Sequence, residues 1–255
     1  AKPLVRAGIA RFNREGGAMT DTTMIKVTSL GKRFTLHNQG GVALQVLDDV
    51  SFAVERGECL VLHGPSGTGK SSLLRSLYAN YLPQRGEILV RHDGAWVDMV
   101  SAAPHQVLEV RRRTMGYVSQ FLRVIPRVAT IDIVSEPLRR QGVDLETARE
   151  RAANLLNRLN IPEDLWSLAP STFSGGEQQR VNIAHCFVTD YPIILLDEPT
   201  ASLDAENRRV VIELMRGAMR GGAALVGIFH DAEVREAVGT HCFEMNTGLV
   251  ESMAA

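Results

Sequence analysis

The sequence lacks a long apolar run and holds few cysteines. Its apolar stretches fall well short of the roughly 18 residues that a membrane-spanning helix needs. Cys59, Cys186 and Cys242 are too sparse and too odd a set for a disulfide framework, which fits a reducing compartment. We therefore expect a soluble, cytoplasmic protein that does not itself insert into a membrane. Cys59 lies in an apolar run and is expected to be a small core residue.

The charge balance also lacks an excess of one sign. The 28 Lys and Arg residues nearly cancel the 29 Asp and Glu residues, for a formal net charge of -1. Proteins that bind nucleic acid usually carry a basic excess or stripe, so we expect no nucleic-acid partner. The one local basic cluster, Arg111–Arg113, is interpreted as the solvated edge of a strand.

A glycine-rich segment at residues 64–71 is the most informative feature that is present. It follows the apolar run Cys59–Leu62 and precedes a helical pattern, which is the strand–loop–helix context of a phosphate-binding P-loop. Lys70 would reach the β- and γ-phosphates, and the Ser71 hydroxyl would ligate Mg²⁺. The predicted nucleotide contacts are Gly64, Pro65, Ser66, Gly67, Thr68, Gly69, Lys70, Ser71 and Ser72.

Short apolar runs predict an α/β fold with a parallel or mixed sheet. Runs that are apolar throughout indicate strands buried on both faces. Strands are expected at residues 24–27, 46–54, 58–63, 87–91, 96–100, 115–118, 193–196 and 224–229. From about residue 121 to 190 the pattern is helical, clearest at residues 145–159, and a further helix is expected at 206–219. The apolar face of the clearest helix would comprise Leu145, Ala148, Ala152, Leu155, Leu156 and Leu159.

Residues 1–23 differ from the rest of the chain. They carry several basic residues and a Gly-Gly pair, with little apolar periodicity. We expect a mobile N-terminal tail, or alternatively a docking arm, ahead of a nucleotide-binding domain at residues 24–255.

A second nucleotide element ends the apolar run 193–196. The run leads directly into Asp197 and Glu198, and ligands of open α/β sheets bind at the carboxyl ends of strands. Asp197 suits a second Mg²⁺ ligand, and Glu198 is placed to polarise a water that attacks the γ-phosphate. A pair of solvated carboxylates is the alternative, and the upstream P-loop favours the functional interpretation.

Four further motifs resemble those of the ATP-binding-cassette ATPases. They are the signature-like sequence at 174–178, Gln120 in Gly-Tyr-Val-Ser-Gln, the segment 198–204, and His230 after an apolar run. They occur in the order that this family has, and the resemblance spans residues 24–253. It implies a P-loop NTPase core with an N-terminal antiparallel β region and a helical insert at about 121–190.

The family resemblance also implies ATP and Mg²⁺ as cofactors and a site shared between two cassettes, of the same chain or of a paralogue. Ser71, Gln120 and Asp197 would hold the metal ion. Lys70, Glu198 and His230 would be the catalytic residues, with Glu198 orienting water and His230 contacting the γ-phosphate. Phe34 would stack on adenine, with a partly buried core residue as the alternative. The opposite cassette's ATP would contact Ser174, Gly175, Gly176, Glu177 and Asp204.

Two positions depart from the family pattern. Glu177 stands where most members have Gln, and His185 stands where Arg is common. Ser174 and Glu177 also have the spacing of a helix capping box, so we expect the Glu177 side chain to turn back toward the Ser174 backbone N–H. The sequence offers no explanation for His185.

Several long segments resemble more narrowly the PhnL-type cassettes of the bacterial carbon–phosphorus lyase pathway. They are residues 73–83, 118–126, 168–174 and 226–231. That resemblance implies carbon–phosphorus lyase core subunits as partners. It also implies a role in forming ribose 1-methylphosphonate 5-triphosphate, with the chain as a subunit of a transferase. The alternatives are the energy-coupling subunit of a lipoprotein or macrolide exporter, and a scaffold that binds ATP without hydrolysing it.

Overall fold

The computed structural model describes residues 20–36, 42–120 and 127–253. Nearly all of the predicted N-terminal tail, and the first residues of the predicted helical insert, lie outside the described residues. The first described residues are fixed at Glu55, whose carboxylate accepts hydrogen bonds from the hydroxyls of Thr20, Thr22 and Thr23 at 2.6–2.8 Å.

Ten strands and seven helices make up the described chain. The strands are β1 (Thr23–Leu36), β2 (Val42–Glu55), β3 (Cys59–His63), β4 (Arg85–His92), β5 (Ala95–Asp98), β6 (Met115–Val118), β7 (Ile193–Asp197), β8 (Ala224–Ile228), β9 (His241–Glu244) and β10 (Leu249–Ser252). The helices are α1 (Lys70–Leu77), α2 (Pro104–Arg113), α3 (Thr130–Arg140), α4 (Leu145–Arg158), α5 (Gly175–Phe187), α6 (Ala205–Arg220) and α7 (Ala232–Val238).

The N-terminal strands form an antiparallel sheet in the order β2-β1-β4-β5. Val27 lies opposite Phe52 on β2 and opposite Ile88 on β4, and all three side chains are buried. Buried apolar residues alternate with more exposed ones over Val50–Val54 and Ile88–Val90, as a sheet covered on one face requires. The expected N-terminal antiparallel β region is confirmed.

The second sheet carries the strands that end in predicted site residues. Its order is β10-β9-β3-β8-β7-β6, and every neighbouring pair is parallel except β10 with β9. Every residue of β7 and β8 is buried. This is the mixed, mainly parallel sheet that the continuous apolar runs predicted.

Alternate residues of these strands face two separate hydrophobic cores. On β3, Cys59 and Val61 face one core while Leu60 and Leu62 face the other. The first core lies against the helices of the insert and α6, and the second lies between the two sheets and α1. Cys59 is fully buried, as expected of a core residue.

The insert between β6 and β7 is helical where it is described. It contains α3, α4 and α5, with short 3₁₀ turns at Glu163–Leu165 and Pro170–Thr172. The start of α3 is anchored because the backbone N–H groups of Thr130 and Ile131 donate to the carbonyls of Leu168 and Trp166 at 2.9 and 3.0 Å. Because α5 begins shortly after Leu168, beyond the second 3₁₀ turn, this anchoring helps to position the N-terminus of α5.

Two sequence expectations are wrong. Arg111–Arg113 form the last turn of α2 and not a strand edge. Pro104 starts that helix at a favourable position, and cations at a helix C-terminus interact well with its dipole. Leu145 does not belong to the buried face of α4 and is 45% exposed. It is the first residue of the helix, ahead of the turns that bury Ala148, Ala152 and Leu156.

Within residues 20–36, 42–120 and 127–253, none of the helices combines the length and the apolar character that a bilayer crossing demands.

Candidate functional site

The carboxyl ends of four parallel strands bring the predicted motifs to one edge of the second sheet. β3 leads into the P-loop, β6 is followed by Gln120, β7 ends in Asp197 and Glu198, and β8 is followed by His230. These strands are adjacent in the order β3-β8-β7-β6, so residues far apart in the chain meet here.

Three glycines with positive φ shape the P-loop. They are Gly64, Gly67 and Gly69, with φ of 141°, 85° and 91°. At Gly69 a Cβ would lie 2.7 Å from the Val46 carbonyl oxygen, so both the backbone conformation and the space require glycine. α1 begins at the next residue, and no side chain caps its first N–H groups. Those groups remain able to bind an anion.

The rest of the predicted P-loop residues line the same turn. The Thr68 hydroxyl donates to the Pro65 carbonyl at 2.9 Å and closes the loop. The Lys70 side chain is buried, and its Nζ donates to the carbonyls of Gly64 and Pro65 at 2.7 and 2.8 Å. The ammonium group is therefore held inside the loop, where it would meet phosphate oxygens. Ser66 is exposed, and Ser71 and Ser72 are half-buried on the first turn of α1.

Asp197 is a buried carboxylate beside the start of α1. It is 1% exposed, and its only described hydrogen-bond donors are the hydroxyls of Ser71 at 3.1 Å and Tyr117 at 3.3 Å. Burial raises the pKa of the Asp197 carboxyl because its charge has lost water. A hydroxyl and a carboxylate side by side are ligands that Mg²⁺ prefers, so the residues fit the predicted ion.

Glu198 is held between two side chains from neighbouring strand ends. Its Oε1 lies 2.7 Å from His230 Nε2, and its Oε2 accepts from Gln120 Nε2 at 3.3 Å. Its φ is +53°, which is rare for a residue with a side chain and costs free energy. The structure thus joins the predicted catalytic Glu198 and His230, whereas Gln120 contacts Glu198 and not Asp197.

The signature segment starts α5. The Ser174 hydroxyl caps this helix by accepting from the Glu177 N–H at 3.3 Å, and a Glu177 carboxylate oxygen accepts from the Ser174 N–H at 2.8 Å. The expected capping box is confirmed. The Ser174 hydroxyl also donates to the Glu177 carboxylate at 2.7 Å, and this hydrogen bond, together with that of the Ser174 N–H, lowers the pKa of Glu177. The Glu177 carboxylate is therefore held by Ser174 at the start of α5.

Asp204 caps the neighbouring helix α6. Its carboxylate accepts from the Asn207 N–H at 2.8 Å, and this hydrogen bond lowers the pKa of Asp204. Arg180 of α5 donates to Asn207 Oδ1 at 3.2 Å and to the Asn160 carbonyl at 3.0 Å. A polar network therefore ties the signature helix to the segment that contains Asp204. That the signature segment and Asp204 contact the ATP of a partner cassette stays a prediction.

Phe34 lies on β1 at the strand end nearest the P-loop. Phe34 pairs with Leu44 on β2. Leu44 is two residues before Val46, whose carbonyl oxygen lies close to Gly69. Its half-buried ring packs edge-on against Tyr81 with the centroids 5.1 Å apart. The stacking of Phe34 on adenine stays a prediction.

Two residues extend the sequence interpretation. The contact of the Tyr117 hydroxyl with Asp197 was not predicted from the sequence. Tyr117 lies on β6, the strand that leads to Gln120 and pairs with β7, and this position could have indicated the contact. His185 lies on α5 with its Nε2 3.9 Å from a Glu136 carboxylate oxygen. Arg140 shares that carboxylate, so His185 joins an ion-pair cluster on the helical insert.

A cleft of about 1470 Å³ opens at the opposite end of the sheet. It is lined by the residues that precede β7 and β8 and by arginines such as Arg56, Arg113 and Arg220. Its lining contains none of the predicted site residues, which lie at the P-loop edge of the sheet.

Comparison with known proteins agrees with this geometry. The profile of the family described as "ABC transporter" matches residues 47–201. The chain is 35% identical over 217 residues to "Lipoprotein-releasing system ATP-binding protein LolD" of Bordetella avium, covering 85% of this chain and 92% of that protein. It is 36% identical over 218 residues to "Macrolide export ATP-binding/permease protein MacB" of Brucella melitensis. That match covers 86% of this chain but only 32% of that longer protein.

A solved structure has the same fold. It is described as the "Dimeric structure of a post-hydrolysis state of the ATP-binding cassette MJ0796 bound to ADP and Pi". The TM-score is 0.81 at 27% identity, and the match covers 91% of this chain and all of that one.

The buried charge of Asp197 predicts a trade-off between stability and ligand binding. Its pKa is raised above the usual 3.8, so its cost to the stability of the folded chain is absent well below that pH and grows as the pH rises through the folded-state pKa. We expect Asp197→Asn to raise the melting temperature at pH 7 without ligand by about 2–4 °C, or about 1 kcal/mol. The same variant should lose the Mg²⁺-dependent shift that ATP gives the parent chain.

The control is Asp190→Asn, an exposed carboxylate ahead of the same strand. This control should change neither the melting temperature without ligand nor the Mg²⁺-dependent shift that ATP gives. Scanning calorimetry measures both, and a lower melting temperature for Asp197→Asn would show that the charge is better solvated than its burial indicates.

Proposed function

Because the chain belongs to the ABC transporter ATP-binding family, we propose that it hydrolyses ATP at a site shared by two cassettes. The observation that carries this proposal is the position of Glu198. Its carboxylate is held between Gln120 and His230, one residue from the buried Asp197, at the end of a strand that only β8 separates from the P-loop strand.

The P-loop binds and orients the triphosphate. The N–H groups at the start of α1 and the Lys70 ammonium bind phosphate oxygens, and Lys70 exchanges its two carbonyl contacts for them. Ser71 and Asp197 would hold Mg²⁺, which neutralises charge on the phosphates when it is bound. Gln120 would complete that shell by leaving Glu198.

Glu198 acts on the attacking water. Its carboxylate accepts a hydrogen bond from the water and draws its proton away as the oxygen approaches the γ-phosphorus. Without ATP, His230 Nε2 donates to the Glu198 carboxylate, and with ATP in place it would contact the γ-phosphate. The positive φ of Glu198 supports this role, because such backbone strain is concentrated at functional sites.

The signature segment supports a site completed by a second cassette. Ser174 and Gly175 are exposed at the N-terminus of α5, and the Glu177 carboxylate is engaged by Ser174. The exposed N-terminus of a helix suits the γ-phosphate of a partner's ATP. The dimeric relative of known structure supports the same arrangement. Hydrolysis would remove the bridging group and let the halves separate.

We place this ATP-driven clamp in phosphonate catabolism. The support is the resemblance of residues 73–83, 118–126, 168–174 and 226–231 to the cassettes of the carbon–phosphorus lyase pathway. The partners would be the lyase core subunits, and the setting would be the formation of ribose 1-methylphosphonate 5-triphosphate by a transferase that includes this chain.

A second candidate is the energy-coupling subunit of a membrane exporter. The names of the lipoprotein-releasing and macrolide-export relatives favour it, and its partner would be a permease.

We expect Glu198→Gln to lower ATP hydrolysis by about 100-fold or more, because the amide cannot accept the proton of water. ATP binding should persist, and an ATP-bound dimer should accumulate. Phosphate release and sedimentation velocity measure the two effects. The control is Glu236→Gln, an exposed carboxylate on α7, which should behave as the parent. Parental turnover by Glu198→Gln would refute the assigned role, and tight ATP binding without phosphate release by the parent would favour a scaffold.

The partner distinguishes the two cellular roles. We expect the tagged chain, taken from phosphate-starved cells without detergent, to carry lyase core subunits detectable by mass spectrometry. Recovery only in membrane fractions with a permease would instead establish the exporter role.

A further inference from the structure

Three potential metal ligands lie next to the P-loop and take no part in the proposed hydrolysis. His63 is the last residue of β3, and Cys242 and Glu244 lie on β9. Their ligand atoms all lie within 4.8 Å of one another. His63 Nδ1 is 2.6 Å from Glu244 Oε1, and Cys242 Sγ is 3.8 Å from the same oxygen.

The strand register places these side chains together. In the parallel pair of β3 and β9, His63 is the partner of Glu244 and Val61 is the partner of Cys242. Successive residues of a strand point to opposite faces, so His63, Cys242 and Glu244 share one face of the sheet. The cluster thus follows from the backbone pairing and not only from side-chain rotamers.

A second carboxylate lies on the same face. Glu251 of β10 is the antiparallel partner of Cys242, and directly opposite residues have neighbouring side chains. The set therefore combines a thiol, an imidazole and two carboxylates near the surface.

We propose that His63, Cys242 and Glu244 bind one divalent ion of the zinc type. Thiolate and imidazole ligands select zinc over Mg²⁺, which prefers oxygen ligands alone. Three protein ligands with a fourth position for Glu251 or water satisfy tetrahedral coordination. The ion would replace the proton between His63 and Glu244 and that of the thiol, so binding releases protons.

Burial and the nearby carboxylates raise the pKa of the Cys242 thiol to about 11. A bound cation reverses this effect, because a coordinated thiol is deprotonated.

The site is linked to the P-loop through the backbone. The Met245 N–H donates to the His63 carbonyl at 3.0 Å, and a Cβ on Gly64 would lie 3.3 Å from Met245 Cβ. A bound ion would fasten β9 to β3 directly below the first P-loop glycine.

The test uses the full chain without nucleotide and zinc alone, with a competing chromophoric chelator. We expect one zinc per chain and a zinc-dependent rise in melting temperature. Cys242→Ser should weaken zinc binding by about 10-fold or more, since even supporting residues of metal sites contribute that much. Cobalt in place of zinc should give a thiolate-to-metal charge-transfer band that Cys242→Ser lacks.

The control is His241→Ala. His241 precedes Cys242 but faces the opposite side of the sheet, so zinc affinity should stay as in the parent. The proposal is overturned if the parent binds no zinc, or if Cys242→Ser binds it as tightly as the parent. Because no nucleotide is present, neither outcome bears on the proposed ATP hydrolysis.

Discussion

The parallel pairing of β3, β8, β7 and β6 is the constraint on which the rest of the site depends. Each strand contributes one motif at its carboxyl end, and none of these motifs lies near another in the chain. A register shift of one residue would turn Asp197 and its neighbours to the other face and exchange the two cores. The residues that hold this register, such as Leu195 and Val226, are fully buried and apolar.

Several features of this sheet edge lower the stability of the chain when no ligand is bound. Asp197 is a buried carboxylate with two neutral hydroxyl donors, and Glu198 has a left-handed backbone. Lys70 is buried against carbonyl oxygens of its own loop. Each feature costs free energy in the chain alone, and under the proposed function the binding of a cation and a polyphosphate would offset that cost. Stability and ligand binding are therefore coupled at this edge.

The sequence predicted the sheet and the motifs because strong local chemistry marked them. The P-loop needs three glycines with positive φ, and the capping box at Ser174 and Glu177 is defined by spacing alone. Helix α2 was missed because Arg111–Arg113 obscured a short apolar face. The contacts of Tyr117 with Asp197 and of Gln120 with Glu198 depend on strand order, which is a long-range property. The same holds for His63 and Cys242, which are brought together only by the pairing of β3 with β9.

The central claim is that two chains must each supply half of every ATP site. It is tested most directly by mixing two variants that are inactive alone, Lys70→Ala and Gly175→Asp. In a mixed dimer one site carries both changes, and the other carries neither. The account predicts that hydrolysis returns when the two proteins are mixed and rises with their concentration. A mixture that stays inactive, while the parent chain hydrolyses ATP, would contradict it.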